Sequence, residues 1–430
     1  MKFLHIADLH IGKRVNEFSM LEDQKYILKD ILRLVDEVKP SGILIAGDIY
    51  DKSVPAGEAV EVLDDFLTDL CARQVQIFIV SGNHDSPERL DFGSRIMAKN
   101  GVHIAGTFAG FLQKITLQDD YGPVHIYLLP FLKPAMVQPY FMDQSIESYE
   151  DAVRVVIQAA QVDRGERNIL VAHQFITSGA LQPERSDSET AAVGGLDNID
   201  ASVFEPFAYV ALGHLHGPQS IGRKTVRYAG SPLKYSFSEV RQQKSVTLLE
   251  FAQKDAINMQ NFSLTARRDM REIKGPLAEL LRAGAASGVS LRTSTAAFPE
   301  GASHAASAVA AFPAATPATS LAVSSDISGD GAGHSVCQDY IRAILTDEEE
   351  LFDAIGQLRQ VYPNIMRLDF ANSRTKQIAD SQTAASGDVA RKSPLELFAE
   401  FYFKQNNCEL NEEQQRIIRE LLEQAGGAKL

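Results

Sequence analysis

Ser81-Gly82-Asn83-His84-Asp85 is the stretch on which the reading of this chain turns. It follows an apolar, largely β-branched run (Val75, Ile77, Phe78, Ile79, Val80) that reads as a buried strand. Gly82 permits a sharp turn, so Asn83, His84 and Asp85 leave together at the strand's carboxyl end. Open α/β sheets place their chemistry at that end. Gly and Asn also favour ordinary turns, so the pentapeptide alone would not decide the matter.

Four further strand-like runs end the same way. Phe3 to Ala7 delivers Asp8 and His10, and Ile43 to Ala46 delivers Gly47 and Asp48. Ile169 to Ala172 delivers His173, and Tyr209 to Leu212 delivers Gly213, His214 and His216. Between the first three runs the apolar spacing becomes helical. Ile27, Ile31, Leu34, Val35 and Val38 form one stripe, ended by Pro40, and Ala59, Val62, Leu63, Phe66 and Leu70 form another. Strand alternating with helix is the pattern of a sheet with crossover helices, and the fold class is α/β.

A single His is most often a satisfied structural side chain, and an Asp after Gly is most often a turn or cap. Five polar clusters on one rim are a different matter. That concentration of carboxylate and imidazole is costly unless cations neutralise it. Mixed Asp, His and Asn ligands suit Mn, Fe or Zn better than Mg or Ca. Two cations sharing one carboxylate could clamp both sides of an in-line displacement at phosphorus.

Composition limits the partners. The 430 residues carry a formal net charge of −14, so bulk electrostatics will not hold nucleic acid, and cations or a basic partner must help. No apolar run is long enough to span a bilayer. Cys71, Cys337 and Cys408 are odd in number and widely spaced, which argues against a disulfide framework. Met1 opens a strand-like run rather than a basic-then-apolar leader, so the expectation is a cytoplasmic protein.

After about residue 265 the character changes. Residues 283–335 are rich in Ala, Ser, Gly, Thr and Pro and read as a mobile insertion. Thr346 with Glu349 is expected to cap a helix carrying Leu351, Phe352, Ile355 and Leu358, and Ile365 to Phe370 is expected to be a strand. A polar linker follows over 371–391. Ser393-Pro394-Leu395-Glu396 then reads as a helix start, and Asn411 with Gln414 as the cap of a last helix. Such short apolar helices beyond a linker must bury their faces, and docking on a partner is expected in preference to folding back onto the main body.

The series D-x-H, G-D-x-x-D, G-N-H-D, H and G-H-x-H resembles the calcineurin-like metallophosphoesterases. It stands here as Asp8-Leu9-His10, Gly47-Asp48-Ile49-Tyr50-Asp51, Gly82-Asn83-His84-Asp85, His173 and Gly213-His214-Leu215-His216. Phe3 to Gly12, Tyr228-Ala229-Gly230-Ser231-Pro232-Leu233 and Ser393 to Phe398 are similar to the branch of DNA nuclease subunits within that superfamily. The resemblance covers residues 1 to about 282 and about 336 to 430, without the insertion.

It implies an αββα sandwich over 1–265, a small α+β capping domain over 266–370 interrupted by the insertion, and C-terminal helices over 392–430. It implies two divalent ions, with Mn2+ expected. Asp8, His10, Asp48 and His216 would hold one, and Asp48, Asn83, His173 and His214 the other. His84 would assist the leaving oxygen, and Asp85 would orient His84 or a neighbouring ligand. Some relatives place another His where Tyr50, Asp51 and Lys52 stand here.

The implied activity is double-strand exonuclease and single-strand endonuclease on DNA, ATP-dependent through a coiled-coil ATPase docked on the C-terminal helices. The implied assembly is a homodimer within a heterotetramer that acts in DNA repair and recombination. The alternative is a phosphatase or small-molecule phosphodiesterase on the same fold, because the metal site alone does not separate the two. His5, His103 and His125 are expected to be structural.

Overall fold

The computed structural model describes residues 1–179, 181–189, 197–253, 256–288, 338–349 and 351–373, with 398–399, 402, 410–411 and 413–418. Most of the expected 371–391 linker, most of the insertion and most of the C-terminal helices lie outside the described residues.

Two six-stranded sheets stack face to face. The first runs Ile257–Ser263, Ser245–Phe251, Lys2–Ile6, Gly42–Ala46, Gln76–Val80, Val102–Ala105. Its last four strands are mutually parallel. The second runs Gln219–Ile221, Arg223–Tyr228, Tyr209–Gly213, Arg167–His173, Gly122–Leu129, Gln113–Asp119, with the middle four parallel.

Period-two alternation sorts the side chains into layers. In the first sheet Leu4, Ile6, Ile43, Ile45, Ile77 and Ile79 face outward onto the helices Leu21–Val38 and Gly57–Ala72, meeting Ile27, Ile31, Val62 and Phe66. Phe3, Leu44 and Phe78 face inward, against Ile126, Ile169 and Tyr209 of the second sheet. Leu170, Ala172, Val210 and Leu212 of that sheet pack outward on Val153, Val156 and Ile157 of the helix Tyr149–Ala159. The layers are therefore helix, sheet, sheet, helix, as the resemblance implies.

His5 lies in the inner layer. Its Nδ1 contacts the Tyr209 hydroxyl at 3.0 Å and its Nε2 the Leu212 carbonyl at 3.1 Å, and burial pushes its pKa down to about 3. His103 stacks on Phe78, and His125 bonds Thr116. All three are structural contacts.

Beyond the sandwich, Met270–Gly275, Tyr340–Leu345 and Ile365–Phe370 form a three-stranded sheet with all strands parallel and its own core, including Ile341, Leu345, Leu358 and Ile365. The helix Leu277–Gly288 runs into the segment read as the start of the insertion, so regular structure reaches past residue 283. The second helix of this unit differs from expectation: it is Ala354–Arg359, and Asp353, not Thr346, caps it by accepting from the Gly356 N–H. Phe352 stays outside that helix, 91% exposed. The unit is joined to the sandwich where the Tyr340 hydroxyl and Arg268 Nη1 both donate to Asp23 Oδ2, at 2.7 and 2.8 Å. Near the C-terminus Asn411 and Gln414 make the reciprocal pair expected of a capping box.

Candidate metal centre

The strand ends that carry the polar clusters come together along one edge of the sandwich. Asp8, His10, Asp48, Asn83 and His84 follow three parallel strands of the first sheet, and His173, His214 and His216 sit at or just beyond two parallel strands of the second. The loops are bonded to one another. Asp8 N–H donates to the Gly47 carbonyl, His10 N–H to that of Asp48 and Ile11 N–H to that of Ile49.

Asp8, His10, Asp48 and His214 adopt positive φ of 53°, 44°, 48° and 105°, unusual for residues with a Cβ. Four such residues at one site indicate local backbone strain that the surrounding packing sustains. Gly213 answers a different demand: a Cβ there would lie 1.8 Å from the Ala46 carbonyl oxygen, so only glycine lets the two sheets close at this point.

The side chains form a continuous chain of contacts. The Nε2 atoms of His10 and His216 are 3.1 Å apart. Asp48 Oδ2 lies 3.5 Å from His10 Nε2 and 3.4 Å from His173 Nε2, midway along the cluster. Asn83 Oδ1 lies 3.0 Å from His173 Nε2 and 2.9 Å from His214 Nδ1. Asp8 groups with His10 and His216 on one side and with Asp48 and His173 on the other, donor atoms within 4.8 Å of one another. All seven residues named as ligands from the sequence are thus brought to one place.

The donor chemistry fits divalent cations. His173 Nδ1 can only donate to the Ala46 carbonyl, 2.9 Å away, so its Nε2 is the atom that meets the oxygens of Asn83 and Asp48. Burial works to lower the pKa of His173, but the Asp48 and Asp8 carboxylates outweigh it and push it up to about 9, so the protein alone favours a proton where a cation shared with those oxygens would sit. Asp8 Oδ2 and His10 Nδ1 are buried with no hydrogen-bond partner among the described residues.

Burial pushes the Asp8 carboxyl up to about 7. It also works to raise Asp48, but His173, through its charge and its hydrogen bond, outweighs it and holds that carboxyl well below the usual carboxylate range. Burial drives His10 well below its ordinary value and His214 down to about 3, so both are neutral imidazoles with a lone pair to give.

His84 sits at the edge of the group and is only half-buried. Its Nδ1 donates to the Asp51 carbonyl at 3.0 Å, its backbone N–H donates to Asp48 Oδ1 at 2.9 Å, and its ring packs edge-on against His10. It also comes within the same 4.8 Å grouping as His10 and Asp48. Asp85 does something different from orienting the His84 ring. Its carboxylate accepts the backbone N–H groups of Gly82, Ile49 and Tyr50 at 2.9, 3.1 and 2.9 Å. It therefore ties the turn bearing Asn83 and His84 to the loop bearing Asp48, and acts as a positioning residue.

Several supporting residues escape a reading of the sequence. The Ser188 hydroxyl donates to Glu239 Oε1 at 2.6 Å and accepts from His216 Nδ1 at 2.8 Å, so His216 must present its Nε2 lone pair to the cluster. Glu239 Oε2 is paired with the buried Lys244 ammonium at 2.6 Å, which also donates to the His216 carbonyl. Glu189 accepts the His216 N–H, and Asp8 Oδ1 accepts the His214 N–H. Asp51 ion-pairs with Lys13 at 2.7 Å. An acid 23 or 27 residues from a histidine carries no pattern, and only the strand-end motifs offered a signal.

Comparison with known proteins agrees with this geometry. Residues 1–218 match the family model described as calcineurin-like phosphoesterase. Residues 322–406 match a second model, described as Type 5 capsule protein repressor C-terminal domain. SbcD of Staphylococcus epidermidis, named as a component of the nuclease SbcCD, is 36% identical over 286 residues, 66% of this chain and 74% of that protein. Its namesake in Staphylococcus saprophyticus is 35% identical over 254 residues, 58% of this chain and 65% of that protein. The crystal structure of a dimetal phosphatase from Danio rerio aligns at a TM-score of 0.37 and 11% identity, covering 62% of this chain and 98% of that one, a likeness too low to add to the assignment. No helix among the described residues is long and apolar enough to cross a membrane. With half its length matched by the family model and its polar strand ends gathered at one edge, the chain belongs to the calcineurin-like phosphoesterases, in their SbcD branch.

Proposed function

We propose that the chain is the nuclease subunit of a complex with an SbcC-type coiled-coil ATPase, cutting DNA phosphodiesters at a site that holds two divalent ions, Mn2+ in the first instance. The observation that carries the reading is Asp48, whose carboxylate lies between His10 and His173 and so between two groups of donors. Asp8, His10 and His216 complete one group, and Asn83, His173 and His214 the other. Bound there, the ions would polarise the phosphoryl oxygens and lower the pKa of water.

The chain's own residues do the rest. The Asp51 carbonyl fixes the proton of His84 on Nδ1, leaving Nε2 to exchange a proton with, or bond, an oxygen at phosphorus. Ser188 and Glu239 fix the His216 tautomer, and the Ala46 carbonyl fixes that of His173. The parallel three-stranded unit, tied to the sandwich through Asp23, serves as a cap that restricts how duplex ends approach. Residues 392–430 dock on the ATPase, which supplies ATP dependence. Double-strand exonuclease and single-strand endonuclease action on hairpins and blocked ends, in repair and recombination, follow from that assembly.

Purified protein with Mn2+ should degrade single-stranded DNA. Turnover of nitrophenyl phosphates or cyclic nucleotides alone, with DNA untouched, would favour the phosphatase or small-molecule reading. Removal of 392–430 should abolish co-purification with the ATPase while sparing hydrolysis, and the reverse outcome would overturn that division of labour.

A further inference from the structure

Residues 184–189 run beside the metal centre, where Ser188 and Glu189 bond His216, and five of the six are hydrogen-bonded. Glu184 N–H donates to Gln219 Oε1 at 2.9 Å, and Gln219 Nε2 donates back to the Glu184 carbonyl at 2.8 Å. Ser186 accepts from Gln242, Asp187 N–H donates to Ser238, and Ser188 and Glu189 hold His216. Arg185 is the exception. Its guanidinium carbon lies over the Phe175 ring, 3.7 Å from the centroid, with its side chain exposed and no carboxylate partner among the described residues. Phe175 is buried two residues past His173, and its ring meets that of His214 edge-on at 6.2 Å.

An arginine on a mobile surface loop would lose side-chain freedom on being fixed. Here the backbone on both sides is tethered and the aromatic ring lies under the guanidinium, while its N–H groups have no hydrogen-bond partner among the described residues. Such a planar fork matches phosphate oxygens two at a time. On a chain of net charge −14, a fixed cation beside a phosphoesterase site has an evident use. We propose that Arg185 binds a non-scissile backbone phosphate of the strand being cut and so sets which substrates bind well. The inference rests on the nuclease reading above and gives it a strand-positioning residue. A substrate with only the scissile phosphate has nothing to offer this arginine.

The test compares the full-length chain with Arg185→Ala and Arg185→Lys in Mn2+, on a single-stranded oligonucleotide and on bis(p-nitrophenyl) phosphate. Arg185→Ala should raise KM for the oligonucleotide about tenfold and leave kcat within about twofold, as expected for one lost phosphate contact. The dependence of log kcat/KM on log salt should become shallower by about 0.7. The small diester should be turned over unchanged, and Arg185→Lys should recover part of the loss. Unchanged oligonucleotide kinetics would overturn the inference. So would an equal loss on both substrates, which would mean that residues 184–189 had merely loosened. A wild-type chain active on the small diester but inert on DNA would remove the nuclease reading, and this inference with it.

Discussion

His10 and His216 stand 206 residues apart in sequence and on different sheets, yet their Nε2 atoms face each other across 3.1 Å. Each ring is more than nine-tenths buried, and neither faces a carboxylate through that nitrogen as closely as it faces the other ring. Folding alone gains little from such an arrangement, whereas a shared cation gains two ligands.

The first prediction concerns the ligand set. Asp48→Asn, which keeps the shape and removes the charge that both donor groups use, should lower Mn2+ affinity more than about 100-fold and abolish phosphodiester hydrolysis. Calorimetric titration should show two ions bound by the wild type, and the melting temperature of the wild type alone should rise steeply with Mn2+. Equal Mn2+ binding by the variant would remove Asp48 from the site.

His84 separates binding from chemistry. As a group that assists the leaving oxygen, its replacement in His84→Ala should lower kcat about 10²–10⁴-fold while Mn2+ affinity stays within a few-fold of wild type. The loss should be greatest for DNA and smallest for a nitrophenyl ester, whose leaving group needs no proton. A large loss of metal affinity would make His84 a ligand instead.

The supports of His216 give a third test. Ser188→Ala or Glu239→Gln should weaken Mn2+ binding about 10–100-fold, because outer partners set the tautomer and orientation of a ligating imidazole. Lys244→Ala acts differently. It strands the buried Glu239 carboxylate and should cost about 3–5 kcal/mol of stability, measured by urea unfolding.

These supports mark where the sequence stopped being legible. Strand ends are written locally, in an apolar run followed by Gly, Asp, His or Asn, so the polar clusters could be named before any coordinates, while the sandwich and the set of seven proposed ligands came from the family resemblance that those clusters carry. Ser188, Glu239 and Lys244 acquire their role only when the loop over 184–189 is laid across residues 236–244, and no local pattern records that pairing. Asp85 was legible as a member of its motif, but not as the acceptor of three backbone N–H groups from two loops. Helix caps were legible where both partners were sequence neighbours, as in Asn411 with Gln414. Thr346 and Glu349 have the same spacing, but the chain there is leaving a parallel strand, and the helix waits for Asp353.

A fourth prediction lies at the other end of the sandwich, far from the metals in the chain's topology. Asp119 is bonded by Arg167 and by the amino group of Met1, and these hold its carboxyl well below the usual carboxylate range. A depressed carboxyl stabilises the fold fully above its unfolded pKa, about 3.9, and that stabilisation is lost as pH falls towards the folded value. Urea midpoints of wild type and Asp119→Asn should therefore differ at pH 7 and draw together as the pH drops below about 4. A gap that is independent of pH would mean that the contribution is packing rather than charge.

The most direct measurement is anomalous diffraction from crystals grown with Mn2+. Two peaks are expected, about 3.5–4 Å apart as in other two-metal sites, with Asp48 touching both, Asp8, His10 and His216 on one side, and Asn83, His173 and His214 on the other. A single ion, or none within reach of Asp48, would contradict the account at its centre.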